Sequence, residues 1–580
     1  MSRIRIDEIL EKDVLIVGAG AAGVRTAIEL QKNNISCLIV SRRRYGDAHT
    51  WLAAGGVNAS LGSLDPEDRW QIHAADTLRE GHYLNDAEAV AIVTSHAPEV
   101  VKELHDWGCP FSKTPDGRIN QRYFGAQSFR RTCFAGDRTG RAILDTLTGK
   151  AREKKIPYRD NIAVIKILKQ NGRVSGALAL DRTENKVIFY KSPAVVLATG
   201  GYAAVYSRST SRAGENLGDG ISLAFEAEAV LMDMEMVQFH PTAMVKPPGY
   251  EGSLVTEAVR GEGGKLFNNR MERFIEKYSP DKMELDARDV VARAIITEIR
   301  EGRGTKENAV YLDISGEKAD FIKERLPGMV EKFREVGVDI TREAIEAAPA
   351  SHYSMGGLQV DFGSGRTTVE GLFAAGEVTA GLHGANRLGG NSLVETLVSG
   401  RNTGKYIADN LKGLKQLFAS DNGEAEDEAG MIMEEDGYDR PADAIRKIRD
   451  IMWEHAGIIR NGEGLKKGLR ELARLAEELR SEAKPLREIG PGAVEESLGV
   501  RNVLGLSEII LKSALKREES RGAHFREDFP DENTEWQKNI LCKTDTEGGV
   551  LLRTRTPKSI PGEIKKALSE NHEMDYHHLE

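Results

Sequence analysis

The 580-residue sequence predicts an α/β protein in which a parallel-sheet domain is interrupted by an inserted α+β domain and followed by helices. Three patterns support this fold class. A strand, glycine turn, helix and strand open the chain at 13–40, and strand-like, glycine-rich sequence returns at 353–392 after a largely helical stretch. Leucines then recur at helical spacing between 440 and 520. One core rarely exceeds roughly 250 to 300 residues, so several domains are expected.

The first pattern is a βαβ unit. DVLIVGAGAAG at 13–23 is followed by VRTAIELQKNN and by the apolar run ISCLIV. Gly18, Gly20 and Gly23 form G-x-G-x-x-G between strand and helix, a spacing that lets a pyrophosphate approach the helix N-terminus. Three β-branched runs in 160–199, with a turn at Asn171-Gly172, predict extra strands on this Rossmann-like domain.

The end of the second strand departs from the usual dinucleotide pattern. An acid normally stands there to bind the ribose, whereas ISCLIV runs into Ser41 and then three arginines, 42–44. This departure disfavours an NAD dehydrogenase. It favours FAD held by other segments of the chain.

The remaining patterns divide the rest of the chain. Helical segments such as VVARAIITEIR and ADFIKERLPGMVEKFREVG indicate an inserted domain, and the acidic stretch 421–436 predicts a solvated linker or helix edge. Five leucines at spacings of three and four make one apolar face of a small helix bundle: Leu465, Leu469, Leu472, Leu475 and Leu479. We therefore expect a discontinuous FAD-binding domain (1–245 and 350–415), a capping domain (246–349), a helical domain (430–522) and a C-terminal region (523–580).

Charge and composition narrow the function classes. A net charge of -10 disfavours a nucleic-acid partner, because such binding needs clustered Lys and Arg. The four scattered cysteines predict neither a metal site nor a disulfide framework, and they fit a reducing compartment. No stretch approaches the roughly 20 apolar residues of a membrane span. A cytoplasmic location is expected, with any membrane contact through a partner.

Seven segments carry polar or charged side chains, in most of them beside glycines, in ways that core packing does not require. They are AHTWLAAGGVNA (48–59), MVQFHPT (236–242), LVTEAVRGEGG (254–264), LDARDVVARAI (285–295), ASHYSMGG (350–357), LFAAGEV (372–378) and HGANRLGGNSL (383–393). Together they resemble the flavoprotein subunits of succinate dehydrogenases and fumarate reductases, in the FAD-dependent oxidoreductase 2 family. The resemblance covers 13 to about 412 and continues at ESRGAHFREDFP, 519–530.

The resemblance implies an enzyme that interconverts succinate and fumarate by hydride transfer with FAD. It implies that His49 carries FAD covalently through the 8α-methyl group. The other FAD contacts that it implies are Gly18, Gly20, Ala22, Gly23, Ser41, Thr50, Gly55, Gly56, Asp219, Glu377, Ser392 and Leu393. At one position the sequence departs from the family, which commonly has Gln or Glu where this chain has Ala54.

For the dicarboxylate, the resemblance implies binding by His240, Thr256, His352 and Arg387, with Phe124 as a wall of the pocket. The fork of an Arg suits a carboxylate. The resemblance further implies that Arg288 transfers the proton and that Glu257 and Arg260 form the relay that recharges it. Because a free guanidinium does not ionise near neutral pH, the proton is expected to pass in a concerted chain.

Two other interpretations stay open. L-aspartate oxidases share the HPT-like, RGEGG and GANRL motifs but lack a histidine at position 49. An electron-carrying flavoprotein without dicarboxylate turnover would have no use for the substrate residues. Since the sequence contains no iron–sulfur or haem motif, the resemblance implies an iron–sulfur partner subunit, with a membrane-anchor or electron-acceptor subunit beyond it. The chain would then be peripheral on the cytoplasmic face of the membrane.

Overall fold

A computed structural model describes residues 6–489, 494–546, 548–570 and 572. Its centre is a five-stranded parallel sheet with the strand order Leu372–Ala374, Val195–Leu197, Val14–Val17, Cys37–Val40 and Tyr158–Arg159. The first of these strands comes from beyond the inserted segment. The FAD-binding fold is therefore discontinuous, as the sequence predicts.

The predicted extra strands form an antiparallel sheet beside the parallel one. They are Ile162–Gln170, Arg173–Asp181 and Lys186–Lys191, and Glu8–Glu11 pairs in parallel with the last of them. Asn171 and Gly172 both have positive φ, 54° and 76°, which a tight hairpin turn requires.

Helices cover the parallel sheet: Ala21–Lys32, Trp70–Glu80, Ala87–Asp106, Thr139–Glu153 and Asn391–Gln416. The last packs along the first at close range. A Cβ on Gly400 would lie 2.5 Å from the Ala22 carbonyl oxygen, so the two helices can approach this closely because position 400 has no side chain. This packing joins sequence from before and after the insert into one layer.

The inserted segment has its own core and most of an antiparallel sheet. The sheet consists of Val237–Met244, Ile345–Ser354, Val310–Asp313 and Lys265–Phe267. The first of these strands ends just before the boundary that we propose at 245, and the second crosses the boundary at 350. The helices of the inserted segment are Ala258–Gly261, Ile275–Tyr278, Arg288–Glu298, Ala319–Arg325 and Pro327–Glu335. The last two separate at Pro327, which cannot continue a helix but suits its first turn.

Three long helices form the helical domain: Pro441–Ala456, Gly462–Glu482 and Val494–Lys516. Leu465, Leu472 and Leu475 are buried and the other two predicted leucines are partly buried against the same core. The acidic stretch is mostly helix, Asn422–Met433, capped by the Asp421 side chain. Its small and apolar residues form one buried edge, in agreement with the helix-edge prediction.

The C-terminal region returns to the FAD-binding fold. Asn539–Thr544 and Val550–Arg555 extend a sheet with Leu231–Met232, Gly357–Gln359 and Thr379–Ala380. Smaller pairings join 57–58, 132–133 and 121–122, 436–437 with 484–485, and 459–460 with 525–526. The remaining helices are Asp219–Glu226, Leu486–Ile489 and Gly562–Ser569. No helix among the described residues is long and apolar enough to cross a membrane.

Candidate active site

A cavity of about 1060 Å³ opens at the carboxyl ends of the parallel strands, where Val17, Val40, Ala198 and Ala375 line it. Ligands of open α/β sheets bind at this edge. Its far side is closed by the inserted segment, through 249–254 and 328–332. Of the residues predicted for cofactor, substrate and catalysis, all line this cavity except Gly23 and Arg260.

The glycine turn fits a pyrophosphate. Gly18 has φ +115°, and a Cβ there would lie 2.1 Å from the Ala198 carbonyl oxygen, while one on Gly23 would lie 2.0 Å from the Gly18 carbonyl oxygen. These two glycines let strand and helix touch. A Cβ on Gly20 would instead point into the cavity, with the Thr50 hydroxyl as its nearest neighbour at 3.4 Å. Gly20 thus leaves the helix N-terminus open to a phosphate.

An acidic residue from a distant segment lies beside the end of the second strand. Arg42, just after the second strand, donates to Asp219 at 2.5 Å and to Glu495 at 3.2 Å. Asp219 raises the pKa of the Arg42 guanidinium, although burial opposes that shift. The sequence predicts Asp219 as a contact but not its pairing with Arg42, because Glu495 and Asp219 follow in segments without a nucleotide motif.

His49 lies on the short helix His49–Leu52, and its Nδ1 is 3.2 Å from the Glu215 carboxylate. Burial raises the pKa of Glu215, but the hydrogen bonds from His49 and Arg212 outweigh it and leave the pKa at about 2. Glu215 is therefore an anion. Sequence reasoning missed it, because it lies in an irregular loop with no recognisable motif.

The opposite wall is formed by the segments after the insert. Glu377 accepts hydrogen bonds from the backbone and hydroxyl of Ser354, and burial raises its pKa to about 6. Ser392 and Leu393 begin the long helix Asn391–Gln416. Phe124 packs against the loop after His49. A Cβ on Gly55 would lie 2.6 Å from the Phe124 ring, so glycine at position 55 leaves room for this contact.

Two arginines meet on one amide oxygen at the end of the cavity nearest the insert. Arg288 Nη1 lies 3.0 Å and Arg387 Nη2 lies 2.9 Å from Gln238 Oε1. Arg288 also donates through Nε to Glu257 at 2.8 Å. The bridge was not predicted, although Gln238 belongs to MVQFHPT. Its amide nitrogen is held by Asn386 Oδ1 at 2.8 Å, which fixes which end faces the arginines.

The charge balance of this end favours an anion. Burial, together with nearby Arg288, lowers the pKa of Arg387 to about 10, so it stays a cation at neutral pH. Burial by itself raises the pKa of the Glu257 carboxyl. The positive charges of Arg288 and Arg260 outweigh burial and bring that pKa down to about 2. Two guanidiniums, Arg288 and Arg387, thus line this end with one carboxylate, and Arg260 adds a third positive charge behind it. That excess suits a dianionic ligand.

Arg260 lies behind Glu257, outside the cavity. It donates to the Glu284 carbonyl oxygen, while its Nε and Nη2 have no hydrogen-bond partner among the described residues. Its influence on Glu257 is electrostatic in this arrangement. The structure thus brings Arg288 and Glu257 into contact but places Arg260 one step further back.

His240 and His352 stand edge to face, with ring centroids 5.2 Å apart. Burial lowers the pKa of both imidazoles well below 6.5, and neighbouring cations lower it further. Both are therefore neutral hydrogen-bonding groups, and the arginines supply the charge. The Thr210 hydroxyl lies 2.8 Å from His352 Nδ1, which leaves Nε2 available to a ligand. Thr256 lines the same end.

Comparisons with known proteins cover nearly the whole chain. The "FAD binding domain" family matches residues 13–393, and the "Fumarate reductase flavoprotein C-term" family matches 445–564. A fumarate reductase (CoM/CoB) subunit of Methanothermobacter marburgensis is 40% identical over 93% of this chain and 98% of its own. The succinate dehydrogenase flavoprotein subunit of Rickettsia bellii is 37% identical over 93% of this chain and 94% of its own.

Solved structures of flavoproteins from succinate dehydrogenases and fumarate reductases superpose on this chain. Mycobacterium smegmatis Sdh1 in complex with UQ1 superposes with a TM-score of 0.85 at 36% identity, over 98% of both chains. A quinol-fumarate reductase with menaquinol molecules superposes with a TM-score of 0.87 at 33% identity, over 96% of this chain and 100% of that one. The similarity thus includes the C-terminal helices as well as the cavity.

Proposed function

Because this chain belongs to the family of succinate dehydrogenase and fumarate reductase flavoproteins, an FAD-dependent oxidoreductase family, we propose that it interconverts succinate and fumarate. One observation carries the assignment of substrate. Arg288 and Arg387 converge on Gln238 beside two neutral histidines, in a cavity whose other end fits a dinucleotide. Such a pair of guanidiniums suits a small dicarboxylate.

The chain's own residues account for cofactor binding. The N-terminus of the helix Ala21–Lys32 and the open position at Gly20 would hold the pyrophosphate. The Asp219 and Arg42 end would hold the nucleotide side, and His49 would hold the flavin side covalently. When bound, FAD supplies the hydride chemistry.

The remaining side chains orient the substrate and move the proton. Arg387, with His240, His352 and Thr256, would hold the carboxylates in both the ground state and the transition state. In fumarate reduction, Arg288 would donate a proton to a substrate carbon and regain one from Glu257, which its Nε contacts at 2.8 Å. Arg260 would supply Glu257 in turn. Oxidation of succinate reverses these transfers.

The test of the function is anaerobic bleaching of the flavin. Purified flavoprotein mixed with succinate should lose its yellow absorbance and regain it with fumarate, while L-aspartate leaves the spectrum unchanged. Bleaching by aspartate but not succinate would identify an aspartate oxidase. If FAD is bound and neither succinate nor aspartate bleaches it, the protein would be an electron-carrying flavoprotein.

Covalent attachment is tested separately through His49. After acid denaturation and electrophoresis, the 63.8 kDa band should fluoresce yellow under ultraviolet light. His49→Ser should give a dark band while the native protein keeps FAD. It should lose succinate oxidation more than fumarate reduction, because alkylation at the 8α position raises the flavin potential. A fluorescent His49→Ser band would place the linkage on another residue.

Two of the contacts that hold the inserted segment over the cavity can be removed without changing the insert. The Gly328 backbone donates to Asp137 at 2.6 Å, and Arg138 pairs with Glu331. Closure of this kind excludes water from a site. Replacing Asp137 and Arg138 together by Ala removes about 1 to 2 kcal/mol of contact, so malonate should dissociate about 5- to 30-fold faster in stopped flow. The control is Arg325→Ala, whose partner Glu262 lies in the same inserted segment. Equal rates in the two variants would contradict the closing role.

Electrons from the flavin require a partner. We propose an iron–sulfur subunit docked near the flavin end, with a membrane-anchor or other electron-acceptor subunit beyond it, and hence a peripheral cytoplasmic location. The relatives support this without deciding the acceptor, since one is named for CoM/CoB and another was solved with UQ1. Co-purification from native cells identifies the partner. Recovery of the chain alone, with full turnover, would contradict the proposal.

A further inference from the structure

The imidazole of His49 has a carboxylate partner that no sequence motif predicts. Glu215 Oε2 lies 3.2 Å from His49 Nδ1, and Glu215 is only 8% exposed. We propose that Glu215 is the positioning residue that prepares His49 for covalent attachment of FAD. This inference rests on the proposed function, in which His49 carries the flavin.

The carboxylate is held rigidly in place. Arg212 donates through Nε at 2.9 Å and Nη2 at 2.5 Å, one bond to each oxygen of Glu215. Arg43 Nε adds a contact at 3.0 Å. Since Arg43 precedes His49 on one loop and Arg212 precedes Glu215 on another, the cluster clamps the two loops together. Glu215 therefore cannot turn away from the imidazole without breaking both charged hydrogen bonds from Arg212 and the Arg43 ion pair.

The contact fixes the tautomer of the neutral His49 ring. An ionised carboxylate only accepts hydrogen bonds, so Nδ1 must carry the proton when it bonds to Glu215. In the neutral form of the ring, the lone pair is then on Nε2. Among the described residues, Glu215 is the one hydrogen-bond partner of this imidazole. Without it, the ring would exchange between tautomers and rotamers, and the nucleophilic nitrogen would face the flavin only part of the time.

The attachment step balances with reactants that the proposed function supplies. A bond forms between His49 Nε2 and the 8α-carbon of FAD as one C8α–H bond breaks. The imidazole gives up its Nδ1 proton beside Glu215, and the electron pair and two protons released reduce one fumarate to succinate. Glu215 contributes by holding the proton at Nδ1 until Nε2 has reacted.

The experiment measures the share of bound FAD that stays with the protein after acid. Glu215→Gln keeps the size of the side chain but not the charge, and should lower that share about tenfold or more while native FAD binding persists. The matched control is Asp47→Asn. Asp47 belongs to the same cluster, 2.5 Å from Arg212, but does not contact His49. This control should remain fully fluorescent.

The possible outcomes distinguish a failure of the Glu215 inference from a failure of the proposed function. A dark wild-type band would refute covalent attachment itself. A fluorescent wild type with an equally fluorescent Glu215→Gln would overturn only the role of Glu215. If Glu215→Gln fails to bind FAD, the half-time of attachment after adding FAD and fumarate to apoprotein is measured in Glu215→Asp. A shortened carboxylate should slow it, and an unchanged half-time would overturn the inference.

Discussion

Arg288→Lys should lower kcat by about 10² to 10⁴, the range that a positioned acid contributes, while malonate affinity falls little. Lys keeps the positive charge, so the electrostatic attraction of a dianion persists. A single ammonium cannot reproduce the guanidinium, which reaches Glu257 through Nε and Gln238 through Nη1 at the same time. The proton chain would then be broken or misdirected in the transition state.

The measurement pairs steady-state rates, with an artificial electron donor, with malonate titrations followed by flavin absorbance. Arg293→Lys is the control, since Arg293 lies on the same helix but pairs with Asp289 away from the cavity. It should keep near-normal kcat. A nearly fully active Arg288→Lys would mean that another group supplies the proton.

Arg387→Ala should weaken succinate, fumarate and malonate binding together, by about 2 to 4 kcal/mol, or about 30- to 1000-fold in Kd. Arg387 is buried, and its Nε has no partner among the described residues. A ligand carboxylate would satisfy that donor. The loss should be similar for all three dicarboxylates, because the residue is proposed to bind ground state and transition state alike.

A control for general destabilisation is available at another arginine that stacks on a tyrosine. Arg387 lies over the Tyr353 ring at 4.6 Å, and Arg366 lies over Tyr406 at 5.3 Å, outside the cavity. Arg366→Ala should leave malonate Kd unchanged. Equal losses of affinity in Arg387→Ala and Arg288→Lys would show that the assigned division between binding and proton transfer is wrong.

The architecture was largely predictable because its signals are local. The βαβ unit, the Asn171-Gly172 hairpin and the leucine-lined helix Gly462–Glu482 follow from short-range periodicity and turn chemistry. The helical pattern around Pro327 was less well predicted. The apolar periodicity continues across the proline, but the structure has two helices, Ala319–Arg325 and Pro327–Glu335, because a helix cannot continue through a proline. Domain boundaries depend on which strands pair, which no single segment specifies.

The sequence by itself determined the glycine turn and the motifs that contain His49 and the proposed substrate residues, because each of these patterns spans only a few neighbouring positions. Only the tertiary structure decided how these groups work on one another. Gln238 meets Arg387 across 149 residues, Glu215 meets His49 across 166, and Asp219 meets Arg42 across 177. Such contacts form only when segments far apart in the chain fold together around the parallel sheet. The pKa of each buried group likewise depends on neighbours that this packing supplies.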